Sequence, residues 1–435
     1  MEIGKTMSVC PVCLAKIPAK KVVGDDGNIY MEKRCWEHGS FRTLIWEGDL
    51  ESYIAWAEGD ANGIVTPVRA QPVEKGCPYD CGLCQSHERD GCCVLLELTN
   101  RCNLKCPVCF ASAGDQKPHD LSLEEIGRQY DLLMERGGPF NIQLSGGEPT
   151  MRSDLDKIIA LGREQRFSFF QLNTNGVRIA KEEGYADHLK QAGVSVAFLQ
   201  FDGLDDEIYR ALRGADLLET KLKAIDNCKA VGLPVVLVPT VAPGVNDHAL
   251  GDILKFALSR APHVRGVHIQ PISYFGRCGL EAPEIRLTIP AVLRRIETQT
   301  EGLMKVTDFG GGGAESPYCS FHASFMRKKD GSINDAKVAR SVDPLLDEEA
   351  LRVINAMPKW KPGMHEGKAV NVKYTIPVMF KLSGDNTDSK SAGTPREAQV
   401  DENGVYMVCD QMPMYPGGMQ EGMKYLQKNI QYPQE

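Results

Sequence analysis

The stretch TNRCNLKCPVCFASAG, residues 99–114, limits what this chain can become more tightly than any other. Cys102 and Cys106 have three residues between them, Cys106 and Cys109 have two, and the trio follows directly on the apolar run Val94–Leu98. A short apolar run of this kind reads as a buried strand, so three thiols hang from one loop at its carboxyl end. The closer pair alone suits a zinc knuckle, but a structural zinc site takes four protein ligands, often in two pairs. Three thiolates on one loop suit a [4Fe–4S] cube instead. Three irons are then held, and the fourth is left open for a substrate or cofactor to chelate.

Cysteine clustering extends beyond this loop. Eleven of the fifteen cysteines precede residue 110, mostly in pairs and triplets with two or three residues between. Disulfides need no such clustering and a reducing compartment disfavours them, so metal or cluster ligation is expected. Cys228, Cys278, Cys319 and Cys409 are scattered, and Cys228 falls on a helical pattern as a core thiol. With 58 acidic and 50 basic residues the net charge is −8, without the basic stripe that a general nucleic-acid grip wants. The longest apolar runs, such as Gly232–Pro239, are strand-length and far short of the ~20 residues of a membrane span. The opening MEIGKTMSVCPVC has neither the apolar core nor the cleavage site of a secretion signal, so the expected compartment is the cytoplasm.

From residue 94 strands and helices alternate. Strands are expected over Val94–Leu98, Asn141–Leu144, Ser168–Leu172, Val194–Phe201, Val235–Pro239 and Gly266–Pro271. Helices are expected over Leu121–Arg136, Arg152–Glu164, up to Ala192, across 205–231 and over 247–260. Such alternation means βα units around a parallel sheet. The expected fold class is α/β, a partial (β/α)6 barrel with its chemistry at the carboxyl ends of the strands. Before it, residues 1–50 form a metal-binding knuckle with a hairpin around Asp25-Asp26-Gly27, and 70–93 form a cysteine-rich segment.

Four further motifs stand at the expected strand ends or just past them: Leu144-Ser-Gly-Gly-Glu-Pro-Thr150, Asn173-Thr-Asn-Gly176, Gln200-Phe-Asp-Gly203 and Arg210-Ala-Leu-Arg-Gly214. With the CxxxCxxC trio they resemble the radical SAM superfamily. The resemblance implies a [4Fe–4S] cluster whose open iron chelates the amine and carboxylate of S-adenosylmethionine. It implies reductive cleavage of the sulfonium S–C5′ bond to a 5′-deoxyadenosyl radical that abstracts hydrogen from substrate, and an electron donor such as flavodoxin or ferredoxin. Gly146 and Gly147 lack Cβ and admit close approach to the amino group; Glu148 accepts from the amine. Asn175, Gln200 and Asp202 stand where ribose and carboxylate need partners, although NG and DG are also turn dipeptides. No catalytic residue is assigned. The superfamily usually carries an aromatic just before the third cysteine; here Val108 precedes it and Phe110 follows.

Two more metal sites are expected. Cys77-Pro-Tyr-Asp-Cys81-Gly-Leu-Cys84 repeats the trio's spacing, and with Cys92 or Cys93 it closes a four-thiolate auxiliary [4Fe–4S] site, zinc being the alternative. Cys10, Cys13, Cys35 and His38 suit tetrahedral zinc or a rubredoxin-like single iron, and ligand softness does not separate the two. The layout of 1–325 resembles the superfamily branch that holds the archaeal tetraether-lipid synthases and the dihydro-hydroxymethylpterin methyltransferase type. That implies C–C bond formation or methylation of an unnamed substrate. Asp247 and the run His268–Phe275 are read as pocket lining, with His268 inside a strand and equally a core histidine; Cys319 is near a cluster or inert.

The tail departs from this pattern. Residues 330–382, with RSVDPLLDEEALRVINAMPKWKPG and VKYTIPV, resemble the second half of the TonB carboxyl-terminal domain, and 402–435 resemble its first half. The polar stretch 383–401 joins them, so the region is a small α+β unit with its halves in reversed order. TonB pairs with receptor strands in the periplasm, which conflicts with an oxygen-labile cluster in the cytoplasm. The tail is therefore expected to be a fused or misassembled frame. The alternative function is a TonB-like partner-binding module on a metal-stabilised scaffold.

Overall fold

Residues 1–57, 93–115, 117–280, 286–311 and 316–323 are described in the computed structural model, with short pieces at 325–327, 333–335, 363–365, 368–370, 399–400, 406–408 and 424–425. Cys77, Cys81, Cys84 and Cys92, and most of the TonB-like tail, lie outside the described residues. Two units are present, Met1–His322 and Ala323–Glu435. In the second, Phe325–Arg327 pairs antiparallel with Ile333–Asp335, Gly363–His365 with Lys368–Val370, and Gln399–Val400 with Tyr406–Val408.

The first unit opens with an antiparallel meander, β1 (Glu2–Val9), β2 (Lys16–Val23), β3 (Ile29–Cys35) and β4 (Gly39–Trp46), in sequential order. The β2–β3 turn is held by Asp26, whose carboxylate accepts from the Asn28 amide and the Tyr30 hydroxyl, while Gly27 takes the left-handed conformation. Helix α1 (Leu50–Ala57) brings Tyr53 and Trp56 against Trp46. There Tyr53 stacks on Tyr318 at 4.3 Å, and the Trp56 indole N–H donates to the Pro317 carbonyl at 2.7 Å. The end of the unit thus docks on its beginning.

Then β5 (Cys93–Thr99), the two-residue β6 (Val108–Cys109), α2 (Leu123–Glu135), β7 (Asn141–Gly146), α3 (Leu155–Glu164) and β8 (Phe170–Thr174) follow. Next come α4 (Val177–Lys181), α5 (Tyr185–Ala192), β9 (Val196–Gln200), α6 (Asp206–Arg213), α7 (Leu218–Ala230) and β10 (Val235–Val238). The unit continues through β11 (Thr240–Val241), α8 (Leu250–Ser259), β12 (Val264–Val267), β13 (Gln270–Pro271), β14 (Arg277–Cys278) and α9 (Ile289–Gln299). Six strands form one all-parallel sheet in the order β12-β10-β9-β8-β7-β5.

Alternation along each strand sorts the side chains. Leu96 and Leu98 of β5, Ile142 and Leu144 of β7, and Phe170 and Leu172 of β8 pack with helix residues such as Ile126, Tyr130 and Ile158 in one buried core. Gly162 is what lets α3 lie this close, since a Cβ there would sit 2.7 Å from the Phe170 ring. Ser122 and Glu125 form a reciprocal capping box at the start of α2.

The element types match the sequence pattern, and the boundaries differ for local reasons. The single helix read across 205–231 is two, because Gly214 adopts φ +78 and closes α6 in a left-handed cap. The helix read up to Ala192 is likewise split at Gly184, φ +75. The strand read over 266–271 is β12 plus the separate β13, which pairs with β11. His268 therefore lies past the end of β12 and is exposed, neither inside a strand nor in the core. Truncating Phe170 to Ala should lower stability by about 3–5 kcal/mol, read as a drop in the thermal midpoint of the metal-loaded chain.

Candidate functional site

The loop that carries Cys102, Cys106 and Cys109 begins where β5 ends, and the end of β7 grips it. The Gly147 amide donates to the Thr99 carbonyl at 2.7 Å and the Glu148 amide to the Arg101 carbonyl at 2.8 Å. Gly146 has φ +119, and a Cβ on it would lie 2.2 Å from the Thr99 oxygen; one on Gly147 would lie 2.2 Å from the Arg101 oxygen. Both glycines are required by backbone packed against backbone. Asp120 holds the same stretch from the other side, accepting from the Thr99 hydroxyl and, at 3.1 Å, from Arg101 Nε.

The carboxylate of Glu148 is buried and turned inward. It accepts from Thr150 Oγ1 (2.6 Å), Thr174 Oγ1 (2.8 Å) and the Asn175 amide (2.7 Å), tying the end of β7 to the end of β8. Asn175 reaches the cysteine loop directly, its Nδ2 donating to Asn103 Oδ1 at 2.7 Å. Asp202 is fully buried. Its oxygens accept from Arg213 Nε (2.7 Å) and Nη2 (2.8 Å), from the Thr240 amide (3.0 Å), and from Gln200. Arg213 in turn donates to the Val108 carbonyl at 3.4 Å, next to the third cysteine. Lys221, also fully buried, donates to the Asn175 carbonyl (2.5 Å) and to Gln200 Oε1 (2.7 Å).

The electrostatics follow from this burial. Desolvation pulls the Lys221 ammonium down to about 7, against the pull of Asp202. Burial works against the Arg213 charge too, but Asp202 raises that guanidinium above its ordinary value. Burial pushes the Cys102 thiol up to about 11 and raises Cys106, where Arg213 offsets part of the rise. Thiols in this state must lose their protons to a metal that binds them.

Cys102, Cys106, Cys109, Gly146, Gly147, Glu148, Asn175, Gln200 and Asp202 thus come together at the carboxyl ends of four adjacent strands. Val108 is buried among Ile208, Leu212, Ala242 and Ala249, and Phe110 lies exposed against Phe275. Other candidates stand apart. Asp247 accepts from the Gly244 amide and from Arg295 Nε, holding a loop to α9. Cys319 is exposed in a turn. Cys93 sits at the amino end of β5, roughly 20 Å of strand from the loop at the other end, with its sulfur accepting from Gln143 Nε2 at 2.7 Å.

Arg213, Lys221 and Asn103 belong to the site and were not singled out from sequence. Arg213 stood inside the RALRG run, where only the pattern was noted. Lys221 carried a readable signal: with Ala224, Ile225 and Cys228 it occupies the buried stripe of α7.

The amino-terminal quartet is a second, independent centre. Ligand atoms of Cys10, Cys13, Cys35 and His38 all lie within 4.8 Å of one another, the one such group among the described residues. Cys13 and Cys35 sulfurs are 3.9 Å apart, and His38 Nδ1 lies 3.7 Å from Cys10 and 3.4 Å from Cys35. Zinc–sulfur bonds of about 2.3 Å make tetrahedron edges of about 3.7 Å, so the four atoms fit one ion. The Val12 amide donates to the Cys10 sulfur at 3.4 Å. The His38 contact draws the Cys35 thiol down to about 6. Cys102, Cys106 and Cys109 do not belong to that group.

Residues 96–257 match the Radical SAM superfamily, residues 2–47 the HMPTM N-terminal zinc ribbon domain, and residues 319–382 the Gram-negative bacterial TonB protein C-terminal domain. The 7,8-dihydro-6-hydroxymethylpterin dimethyltransferase of Methanocaldococcus jannaschii is 43% identical over 309 residues, 70% of this chain and 60% of that protein. A GTP 3′,8-cyclase of Listeria welshimeri is 30% identical over 188 residues, 42% of this chain and 55% of that protein. The chain therefore spans little more than half the length of these relatives. Among solved structures, Streptococcus suis SuiB bound to S-adenosylmethionine aligns with TM-score 0.40 and 15% identity, covering 48% of this chain and 47% of that one. No helix among the described residues is long and apolar enough to cross a membrane.

Gly147→Ala should prevent the cysteine loop from seating and sharply reduce bound sulfide and its iron, while leaving the single metal ion of the amino-terminal quartet in place. Cys35→Ser should do the reverse, losing one metal ion per chain without loss of sulfide. Metal and sulfide analysis of the two variants checks both.

Proposed function

We propose, on the premise that a radical SAM domain occupies residues 96–257, that this chain cleaves S-adenosylmethionine reductively and directs the resulting 5′-deoxyadenosyl radical to methylation, or another C–C bond-forming step, on a reduced pterin-type substrate. The observation that carries the reading is the double backbone lock between the end of β7 and the loop of Cys102, Cys106 and Cys109. It presents three thiolates beside three strand ends lined with hydrogen-bonding groups. The pterin class is suggested by the methanogen dimethyltransferase, 43% identical over 309 residues.

Cys102, Cys106 and Cys109 would hold the [4Fe–4S] cluster, which when bound supplies the electron that breaks the S–C5′ bond. The remaining work falls to the chain. The Gly146–Gly147 turn keeps side chains out of the space beside the loop. Asn175 and Gln200, held by Asn103 and by Asp202 and Lys221, would stand nearest the ribose and carboxylate of S-adenosylmethionine. Glu148 and Asp202, whose oxygens are already engaged by the protein, fix those neighbours in place. The amino-terminal quartet has a structural role, with zinc or one iron. The auxiliary cluster belongs to Cys77, Cys81, Cys84 and either Cys92 or Cys93. An electron donor such as flavodoxin or ferredoxin and a cytoplasmic site complete the reading.

Anaerobically reconstituted protein, given dithionite and S-adenosylmethionine, should release 5′-deoxyadenosine, and Cys106→Ala should fall to background. Adding 6-hydroxymethyl-7,8-dihydropterin, with further S-adenosylmethionine supplied as the methyl donor, should yield a product heavier by one or more methyl groups in mass spectrometry. Reconstituted protein that holds four-iron clusters yet releases no 5′-deoxyadenosine would overturn the assignment.

A further inference from the structure

The end of β7 is not the sole hold on the cysteine loop. A second hold comes from Phe275–Gly279, about 170 residues further along the chain. There β14 pairs antiparallel with β6, Arg277 opposite Cys109 and Cys278 opposite Val108. The Gly279 amide donates to the Pro107 carbonyl at 3.0 Å. Gly276, at φ +71, lies so close that a Cβ would come within 2.2 Å of the Phe110 carbonyl oxygen. The side chain of Arg277 completes the contact. Its Nε donates to the Cys106 carbonyl at 2.7 Å, its Nη2 to the Ala113 carbonyl at 3.1 Å, and its Nη1 to the Asp115 carboxylate.

One guanidinium therefore spans three points of the loop: the carbonyl of the middle cysteine and two positions beyond the third. A planar fork with five donors can satisfy three acceptors in fixed directions, and an ammonium on a flexible stem cannot. Asp115 orients the fork and balances its charge. The peptide that leaves Cys106 is fixed in rotation by this contact, and with it the direction in which the chain runs on to Cys109. The β7 lock sets where the loop starts; Arg277 sets how its second half is turned.

We propose that Arg277 is a positioning residue for the cluster: it holds the Cys106–Cys109 arm in the orientation in which the three thiolates would present a bound cluster to S-adenosylmethionine on the Asn175 and Gln200 side. This rests on the radical SAM reading above. It also couples the segment following β13, which carries Tyr274 and the exposed Phe275, to the orientation of the cluster.

The test uses the full-length reconstituted chain and three variants, Arg277→Met, Arg277→Lys and Asp115→Asn. Electron paramagnetic resonance of the dithionite-reduced cluster is followed as S-adenosylmethionine is titrated in. Wild type should show a spectral change on binding. Arg277→Met should keep its zinc and its far-ultraviolet circular dichroism but require about tenfold more S-adenosylmethionine, equivalent to about 1.4 kcal/mol, or fail to show the change. Arg277→Lys should fall between, and Asp115→Asn should move in the same direction by less. A cluster lost from Arg277→Met with zinc and circular dichroism intact also supports the assignment. Three variants that titrate like wild type would overturn it, as would loss of zinc and circular dichroism together with the cluster, which marks a folding role. A wild-type cluster that ignores S-adenosylmethionine instead refutes the underlying reading.

Discussion

Two amide hydrogen bonds, Gly147 to Thr99 and Glu148 to Arg101, decide whether this molecule has a site at all. They run between the backbones of two turns that leave neighbouring parallel strands, and they form only because neither Gly146 nor Gly147 has a Cβ. Each missing methylene is matched by a carbonyl oxygen 2.2 Å from where it would stand. A loop with three thiols has little intrinsic order, and here its first residues have no freedom left. Asp120 fastens it from the outside and Asn175 from the adjoining strand end.

Beneath the loop lies a set of charges that would be ruinous singly. Asp202, Arg213 and Lys221 are each nine-tenths buried or more, and a lone buried ion costs several kcal/mol. They survive as a group because every oxygen of Asp202 has donors and Arg213 spends its own donors on carbonyl and hydroxyl oxygens as well. Lys221 bridges the backbone of β8's end to the side chain at the end of β9. The network links three strand ends through side chains, where the sheet's own ladder has stopped.

The strand–helix alternation and the site motifs were legible because both are local. A buried parallel strand is an apolar run, and a strand end is a run of small and polar residues. What could not be read depends on distant segments meeting. Gly146 and Gly147 are evident as glycines, but that they answer to Thr99 and Arg101, not to a ligand alone, is visible only once β5 and β7 are neighbours. Glu148 and Asp202 read as ligand groups, and their hydrogen bonds to Thr150, Thr174 and Asn175 and to Arg213 and Thr240 are visible only once the strand ends meet. Arg277 had no sequence signal: it is one arginine in a glycine-rich turn, given meaning by a loop more than 160 residues away. His268 was misplaced by a strand boundary, since β12 stops at Val267 and the chain re-pairs at Gln270.

The stacking of Tyr53 on Tyr318 joins residues 265 positions apart. A ribosome adding 5–20 residues per second needs about 13–53 s to cover that interval. Through that time the metal-binding meander is complete and rests on its own helix α1 without the Tyr318 ring. The arm that clasps the cysteine loop from Arg277 is also late, reaching the exit only after Cys106 has been in solution for some 170 further additions. The unit is therefore born open: its small metal module can load early, and its larger centre stays accessible until nearly the last strand has emerged.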